Sequence, residues 1–268
     1  MCDLCGCVAG TGAVRVAGAA VHTETGTRVE VLQAILHEND CQAGHNRAHF
    51  KAAGVLVVNL MSSPGAGKTS LLEATIRALR GRLTIAVIEG DLETENDARR
   101  IRGAGAQAVQ ITTGSACHLD AGMVHAALHT LALRGIDVLF IENVGNLVCP
   151  AGFDLGQDKN VVLLSVTEGD DKPEKYPVMF RAADFLMITK LDLMEAVGDF
   201  QTLRALRHFR QLANPAPILE VSARSGDGMA AWIGWLMAER ETCRPAVARQ
   251  AHEHHAHDHQ AHDHQAHD

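Results

Sequence analysis

Ser62-Ser63-Pro64-Gly65-Ala66-Gly67-Lys68-Thr69 places an ammonium and a hydroxyl directly after a turn of small residues. Such a turn can aim successive backbone N–H groups at a diphosphate, here from Gly65, Ala66, Gly67, Lys68, Thr69 and Ser70. Lys68 can reach the terminal phosphates, and the Thr69 hydroxyl can hold Mg²⁺. The motif expects glycine where Ser62 stands, and serine is small enough for the same turn. Two further groups of residues carry metal chemistry. Cys2, Cys5 and Cys7 open the chain. Together with the N-terminal amine or a backbone nitrogen, these three thiols can wrap Ni(II), Zn(II) or Cu, and the sulfur count does not choose between them. At the other end, His252–His267 holds eight of the 16 histidines, in a repeated Ala-His-Asp-His-Gln unit. Neutral imidazoles at this density bind the same metals and suit a metal-buffering tail.

The elements that position these groups follow from periodicity. The chain has 268 residues, 47% hydrophobic and 21% charged, enough for one α/β core with appendages. A net charge of −8 disfavours a general nucleic-acid binder. No apolar run approaches the ~20 residues that span a membrane. The N-terminus lacks the basic region and apolar stretch of a signal peptide, so a cytoplasmic location is expected, with cysteines as ligands or core residues rather than disulfides. Three parts are expected: 1–27, a disordered cysteine metal motif and flexible linker; 28–243, a nucleotide-binding domain with a preceding helix; and 244–268, a disordered histidine-rich tail.

The preceding helix runs from Val29 to about Ala53, on the spacing of Val31, Leu32, Ile35 and Leu36. Cys41, His45 and His49 share one face of it and are read as solvated positions rather than ligands. From Val55 onward strands and helices alternate, as in a doubly wound, mostly parallel sheet. The strands fall at about Val55–Leu60, Leu83–Ile88, Ala108–Thr112, Asp137–Ile141, Val161–Val166, Asp184–Thr189 and Pro217–Val221. Helices are expected over Lys68–Leu79, through Ile101, and over Ala121–Leu133, Ala196–Leu212 and Met229–Glu239. Each polar cluster lies just past a strand's carboxyl end, where such folds bind ligands.

Thr189-Lys190-Leu191-Asp192 follows a strand and resembles the guanine-reading motif of GTPases. The Asp192 carboxylate can accept from guanine N1–H and the 2-amino group, and adenine offers neither donor there. Lys190 would lie along the base. Ser222-Ala223 resembles the loop that contacts guanine O6. Glu142-Asn143-Val144-Gly145 occupies the γ-phosphate switch position, with the Gly145 amide placed to bond the phosphate. Asp91 or Glu142 could order Mg²⁺ waters or position the attacking water, and the sequence leaves these two roles open. With no glutamine in the usual water-orienting place, intrinsic GTP hydrolysis is expected to be slow.

Taken with Cys2-Asp-Leu-Cys-Gly-Cys7, Glu89-Gly90-Asp91, Gly114–Leu119, Asn146-Leu147-Val148-Cys149-Pro150 and Glu168–Pro173, these motifs resemble the HypB family. These are the nickel-insertion GTPases of [NiFe]-hydrogenase maturation. The resemblance implies a SIMIBI-class P-loop fold and a GTP-dependent homodimer. It also implies work with a HypA-type metallochaperone on the hydrogenase large-subunit precursor. It implies a second metal site at Cys117, His118 and Cys149, for Ni²⁺ or Zn²⁺. Since Cys149 lies seven residues past Glu142, a switch that moves with GTP or GDP would move a metal ligand. The histidine-rich stretch of the family usually lies near the N-terminus, whereas here it is C-terminal. The urease-type nickel GTPase is the runner-up. It carries Cys-Pro-His where this chain has Cys149-Pro150-Ala151. A nickel store with a regulatory G domain is the contrasting class.

Overall fold

The computed structural model describes residues 25–91 and 96–243. Cys2, Cys5, Cys7 and the histidine-rich tail lie outside the described residues. Seven strands form one sheet: β1 (Leu56–Ser62), β2 (Ile85–Asp91), β3 (Gln107–Thr112), β4 (Val138–Glu142), β5 (Lys159–Ser165), β6 (Phe185–Thr189) and β7 (Ile218–Glu220). Their order is β3-β2-β4-β1-β5-β6-β7. Every neighbouring pair is parallel. Parallel neighbours need crossover connections, and these cover both faces with helices. The central strand β1 is buried along its whole length, as its unbroken apolar run requires.

The helices are α1 (Thr25–Ala53), α2 (Lys68–Leu79), α3 (Asn96–Ala104), α4 (Ala121–Leu128), α5 (Lys172–Lys175), α6 (Pro177–Arg181), α7 (Met194–Val197), α8 (Thr202–Gln211) and α9 (Met229–Cys243). Side chains alternate between the faces of the sheet. Leu56, Val58 and Leu60 pack with α2, α3 and α9, around Leu72, Ile101 and Trp232. Val57, Ile88 and Ile141 face α1 and α4 through Phe50 and Val124. Val162, Leu164 and Ile188 meet α6 and α8 through Phe180 and Phe209.

Three helix expectations are corrected. The segment expected as Ala121–Leu133 leaves the α-helix after Leu128, and its last residues turn back toward β4 at Gly135, φ 81°. The segment expected as Ala196–Leu212 is two helices, broken at Gly198 with φ 72°. On α1 the stripe expected from apolar spacing is buried only from its second half onward, and its buried positions are partly polar. Ile35 is 49% exposed, while the buried positions are Asn39, Ala43, Asn46 and Phe50. The two asparagines are held by partners far along the chain. Asn39 donates to the Asp154 carbonyl and accepts from the Ala121 N–H. Asn46 donates to the carbonyls of Ala121 and Leu155. A buried amide satisfied this way fixes the seating of α1 as firmly as an apolar contact, because an unmade bond there is costly. The helix also starts at Thr25, inside the stretch expected as linker.

Candidate functional site

The carboxyl ends of β1, β2 and β4 meet in a cavity of about 450 Å³. Gly65, Gly67, Lys68, Thr69, Ser70, Asp91, Glu142, Gly145 and Lys190 all line it, so sequence-distant candidates share one space. The turn after β1 needs its glycines: Gly65 has φ 75° and Gly67, which precedes α2, has φ 101°. These are left-handed values that L side chains adopt rarely. Ser62 ends β1, fully buried, and its hydroxyl accepts from Lys68 Nζ at 3.1 Å. The serine that replaces the expected glycine therefore holds the lysine at rest.

Thr69 Oγ1 donates to Glu142 Oε1 at 2.8 Å. The second oxygens of Glu142 and Glu89 are buried with no hydrogen-bond partner among the described residues. Burial pushes the Glu142 carboxyl up to about 7, against the pull of Lys68 and the Thr69 hydroxyl. Burial, followed by the charges of Glu142, Asp97 and Asp91, pushes Glu89 up to about 8; the Ala98 backbone N–H opposes this. Buried, underserved carboxylates beside a hydroxyl fit a divalent cation, which would supply the missing charge.

The sign of the pH dependence follows. Both folded pKa values lie above the ordinary glutamate value of 4.5, so the stabilisation is full below that value and is lost as pH rises through about 7 to 8. In the nucleotide-free, metal-free protein, urea midpoints should fall between pH 5.5 and 8.5, a loss of at least ~1 kcal/mol. Glu89→Gln should flatten that profile. A parallel profile in the variant would contradict the assignment of the proton to Glu89.

A second cavity of about 230 Å³ adjoins the first across Gly67, Ser70 and Lys190, and is lined also by Ala66, Asp192 and Ala223. The Ser222 hydroxyl donates to Asp192 Oδ1 at 2.6 Å, which fixes the carboxylate plane. Thr189 Oγ1 donates to the Ala66 carbonyl at 2.7 Å and ties this cavity to the phosphate turn. Lys190 adopts φ 62°, and its stem passes Gly67. Arg100, which sequence reasoning missed, reaches the first cavity and binds Glu73, Asp97 and Ser70.

Cys117, His118 and Cys149 come together with their ligand atoms all within 4.8 Å. The two thiols are 2.7 Å apart, and His118 Nδ1 is 3.7 Å from Cys117 Sγ. His118 stacks on Phe153, ring centroids 3.9 Å apart. Burial pushes its imidazole down, which favours the neutral, ligating form. Contact with Cys117, then burial, pushes the Cys149 thiol up. Losing those protons to a metal would relieve the crowding, so affinity should rise with pH.

Two asparagines connect this cluster to the phosphate cavity; both lie in the quoted motifs, and the sequence assigned neither a role. Asn143, on the segment leaving β4, accepts from the Leu119 N–H at 3.1 Å. Its side-chain N–H₂ donates to Asn59 on β1. Asn146 donates its backbone N–H to the Ser62 carbonyl at 2.8 Å and accepts from the Cys149 N–H at 3.3 Å. Between them lies Gly145, where an added Cβ would sit 2.7 Å from Pro64 Cα. The segment after Glu142 is therefore wedged between the phosphate turn and both cysteine loops.

Residues 56–219 match the CobW/HypB/UreG nucleotide-binding domain. The hydrogenase maturation factor HypB of Rhizobium leguminosarum bv. viciae is 52% identical over 222 residues, 82% of this chain and 74% of its own length. The chain belongs to the HypB family. Its fold is similar to the crystal structure of HypB from Helicobacter pylori in complex with nickel, at TM-score 0.73 and 41% identity over 78% of this chain and 98% of that one. HypB from Archaeoglobus fulgidus superposes at TM-score 0.72 with 40% identity, over 76% of this chain and all of that one. As a HypB-family protein, the chain carries a nucleotide-binding domain of P-loop architecture. Among the described residues no helix is long and apolar enough to cross a membrane.

Proposed function

We propose that this HypB-family chain is a GTP-hydrolysing metallochaperone that delivers nickel during [NiFe]-hydrogenase maturation, with nucleotide state coupled to metal binding. The observation that carries the reading is the Asn143–Asn146 segment. It touches the phosphate turn through Ser62 and Pro64, and the metal cluster through Leu119 and Cys149. A γ-phosphate bonded to the Gly145 amide would draw on the same backbone that positions Cys149. The nickel-bound relative supports Ni²⁺ as the cargo.

The second cavity, with Asp192 held by Ser222, suits guanine. Lys68 holds the terminal phosphates. Thr69 and Glu142 are the residues to hold Mg²⁺, which when bound supplies charge neutralisation at the β- and γ-phosphates. Asp91 stands at the cavity wall to order the attacking water. With no glutamine for that role, turnover is slow, so the bound nucleotide acts as a timer. Cys2, Cys5 and Cys7 make the other nickel site. Two copies joined by GTP would close the three-ligand cluster across a two-fold axis. A HypA-type metallochaperone and the hydrogenase large-subunit precursor are the partners, in the cytoplasm. The domain division 1–27, 28–243 and 244–268 separates capture, coupling and buffering.

Removal of residues 244–268 tests this against a storage role. The truncated chain should keep tight nickel sites at the cysteine clusters, with GTP turnover unchanged, in nickel stoichiometry and phosphate-release assays. Loss of nearly all tight nickel would make the tail the main activity and the insertion reading wrong.

A further inference from the structure

Four histidines outside the site above gather where α1 packs on α4, with no three of their ring nitrogens yet within 4.8 Å of one another. His45 and His49 stand one turn apart on α1, and His125 in the last turn of α4 stands four residues before His129, which caps that helix, so each helix offers an i, i+4 pair. The ring of His125 lies 5.8 Å from that of His49 and 5.2 Å from that of His129, centroid to centroid. With metal–nitrogen bonds of about 2.0–2.1 Å, two imidazoles on one ion place their centroids roughly 5–6 Å apart.

Asn46 sets the orientation of the central ring. It is fully buried, and its Nδ2 is committed to the carbonyls of Ala121 and Leu155. Its Oδ1 therefore faces His125 Nδ1, at 3.1 Å. A carboxamide oxygen only accepts, so Nδ1 carries the proton and Nε2 keeps its lone pair. Metal-bound imidazoles are held by an outer acceptor in this way. Burial first, then the neighbouring His129, His49 and His45, pushes the His125 imidazole down and keeps it neutral. His45 and His129 are exposed and can swing onto an ion, and His49 and His125 are half-buried.

We propose that His45, His49, His125 and His129 form a further metal site, a bis-histidine clamp between α1 and α4 for a borderline divalent cation such as Ni(II), Zn(II) or Cu(II). An all-imidazole donor set suits these ions, and it differs from the thiolate-rich cluster at Cys117 and Cys149. A cation held there fastens α4, whose N-terminus directly follows the Cys117–His118 loop. Through Asn46 and Leu155 it also fastens the segment that follows Cys149. The clamp stands whether or not the nucleotide reading holds.

Peptide-resolved hydrogen exchange on the full chain tests it, with zinc sulfate in excess over the eight tail histidines. Zinc should slow exchange in peptides covering residues 38–53 and 121–133, by up to about 100-fold at 100 times its Kd. The slowing should disappear in His49→Ala/His129→Ala, two side chains that leave the Asn46 bonds intact. It should persist in Cys117→Ala/Cys149→Ala, which lacks the thiol cluster. Unchanged exchange in these peptides with zinc, or slowing that survives the histidine substitutions, overturns the clamp. Slowing lost with the cysteines instead assigns the effect to the other site and also overturns it.

Discussion

Lys68→Ala should lower GTP turnover by at least ~10²-fold, measured as phosphate release at saturating nucleotide. One preorganised donor aimed at developing charge is worth about that much, and Lys68 is the lysine of the phosphate turn. Its resting partner is the Ser62 hydroxyl, so the ammonium is already buried beside the phosphate cavity before nucleotide arrives. The substitution leaves the start of α2 without its cation but leaves the β1 core untouched, so thermal unfolding should stay near that of the parent. Turnover within a few-fold of the parent would remove Lys68 from the γ-phosphate.

Asp192→Asn should exchange the base preference, with GTP weakened and xanthosine triphosphate strengthened. In the proposed site the carboxylate would accept from guanine N1–H and the 2-amino group, whereas an amide would donate to the 2-oxo group of xanthine. A site left with mismatched polar groups rejects the analogue by as much as ~10⁴-fold. The Ser222 hydroxyl, donating to Oδ1, should hold either side chain in the same plane, so the change tests recognition rather than loop folding. Competition binding with the two triphosphates reads it directly. An unchanged preference for GTP would sink the guanine assignment.

Most of the sheet was legible in the chain, for a local reason. Seven apolar runs with polar carboxyl ends can pack only as buried parallel strands, and the left-handed glycines at 65 and 67 mark the phosphate turn. That the phosphate-turn and Asp192 residues would line neighbouring cavities was legible because they sit in spaced motifs at strand ends. What escaped was long-range. Asn39 and Asn46 are polar residues on the buried face of α1, and their partners lie 75 to 115 residues away. Their spacing of seven with Ala43 between them, in line with Leu36 and Phe50, was the available signal, and their polar side chains hid it. Asn143 and Asn146 stood in quoted motifs without a role, because nothing local shows that each bonds β1. Helix ends failed where a glycine, Gly198, broke a run of good helix formers. Arg100 carries no motif and reaches its site only through the packing of α3 on α2.

The cluster of Cys117, His118 and Cys149 gave its members by family resemblance, but not the means of coupling. In the proposed coupling the link would run through Pro64 beside Gly145, Ser62 to Asn146, Asn146 to Cys149, and Asn143 to Leu119.

Nickel titration of the tail-deleted chain, with GDP and then with a non-hydrolysable GTP analogue, tests this account most directly. The affinity of the G-domain site should differ between the two states by about 5- to 150-fold, the range of ordinary coupling energies. In Cys149→Ala that difference should vanish along with much of the affinity. Superimposable titrations with the two nucleotides in the parent chain would contradict the account.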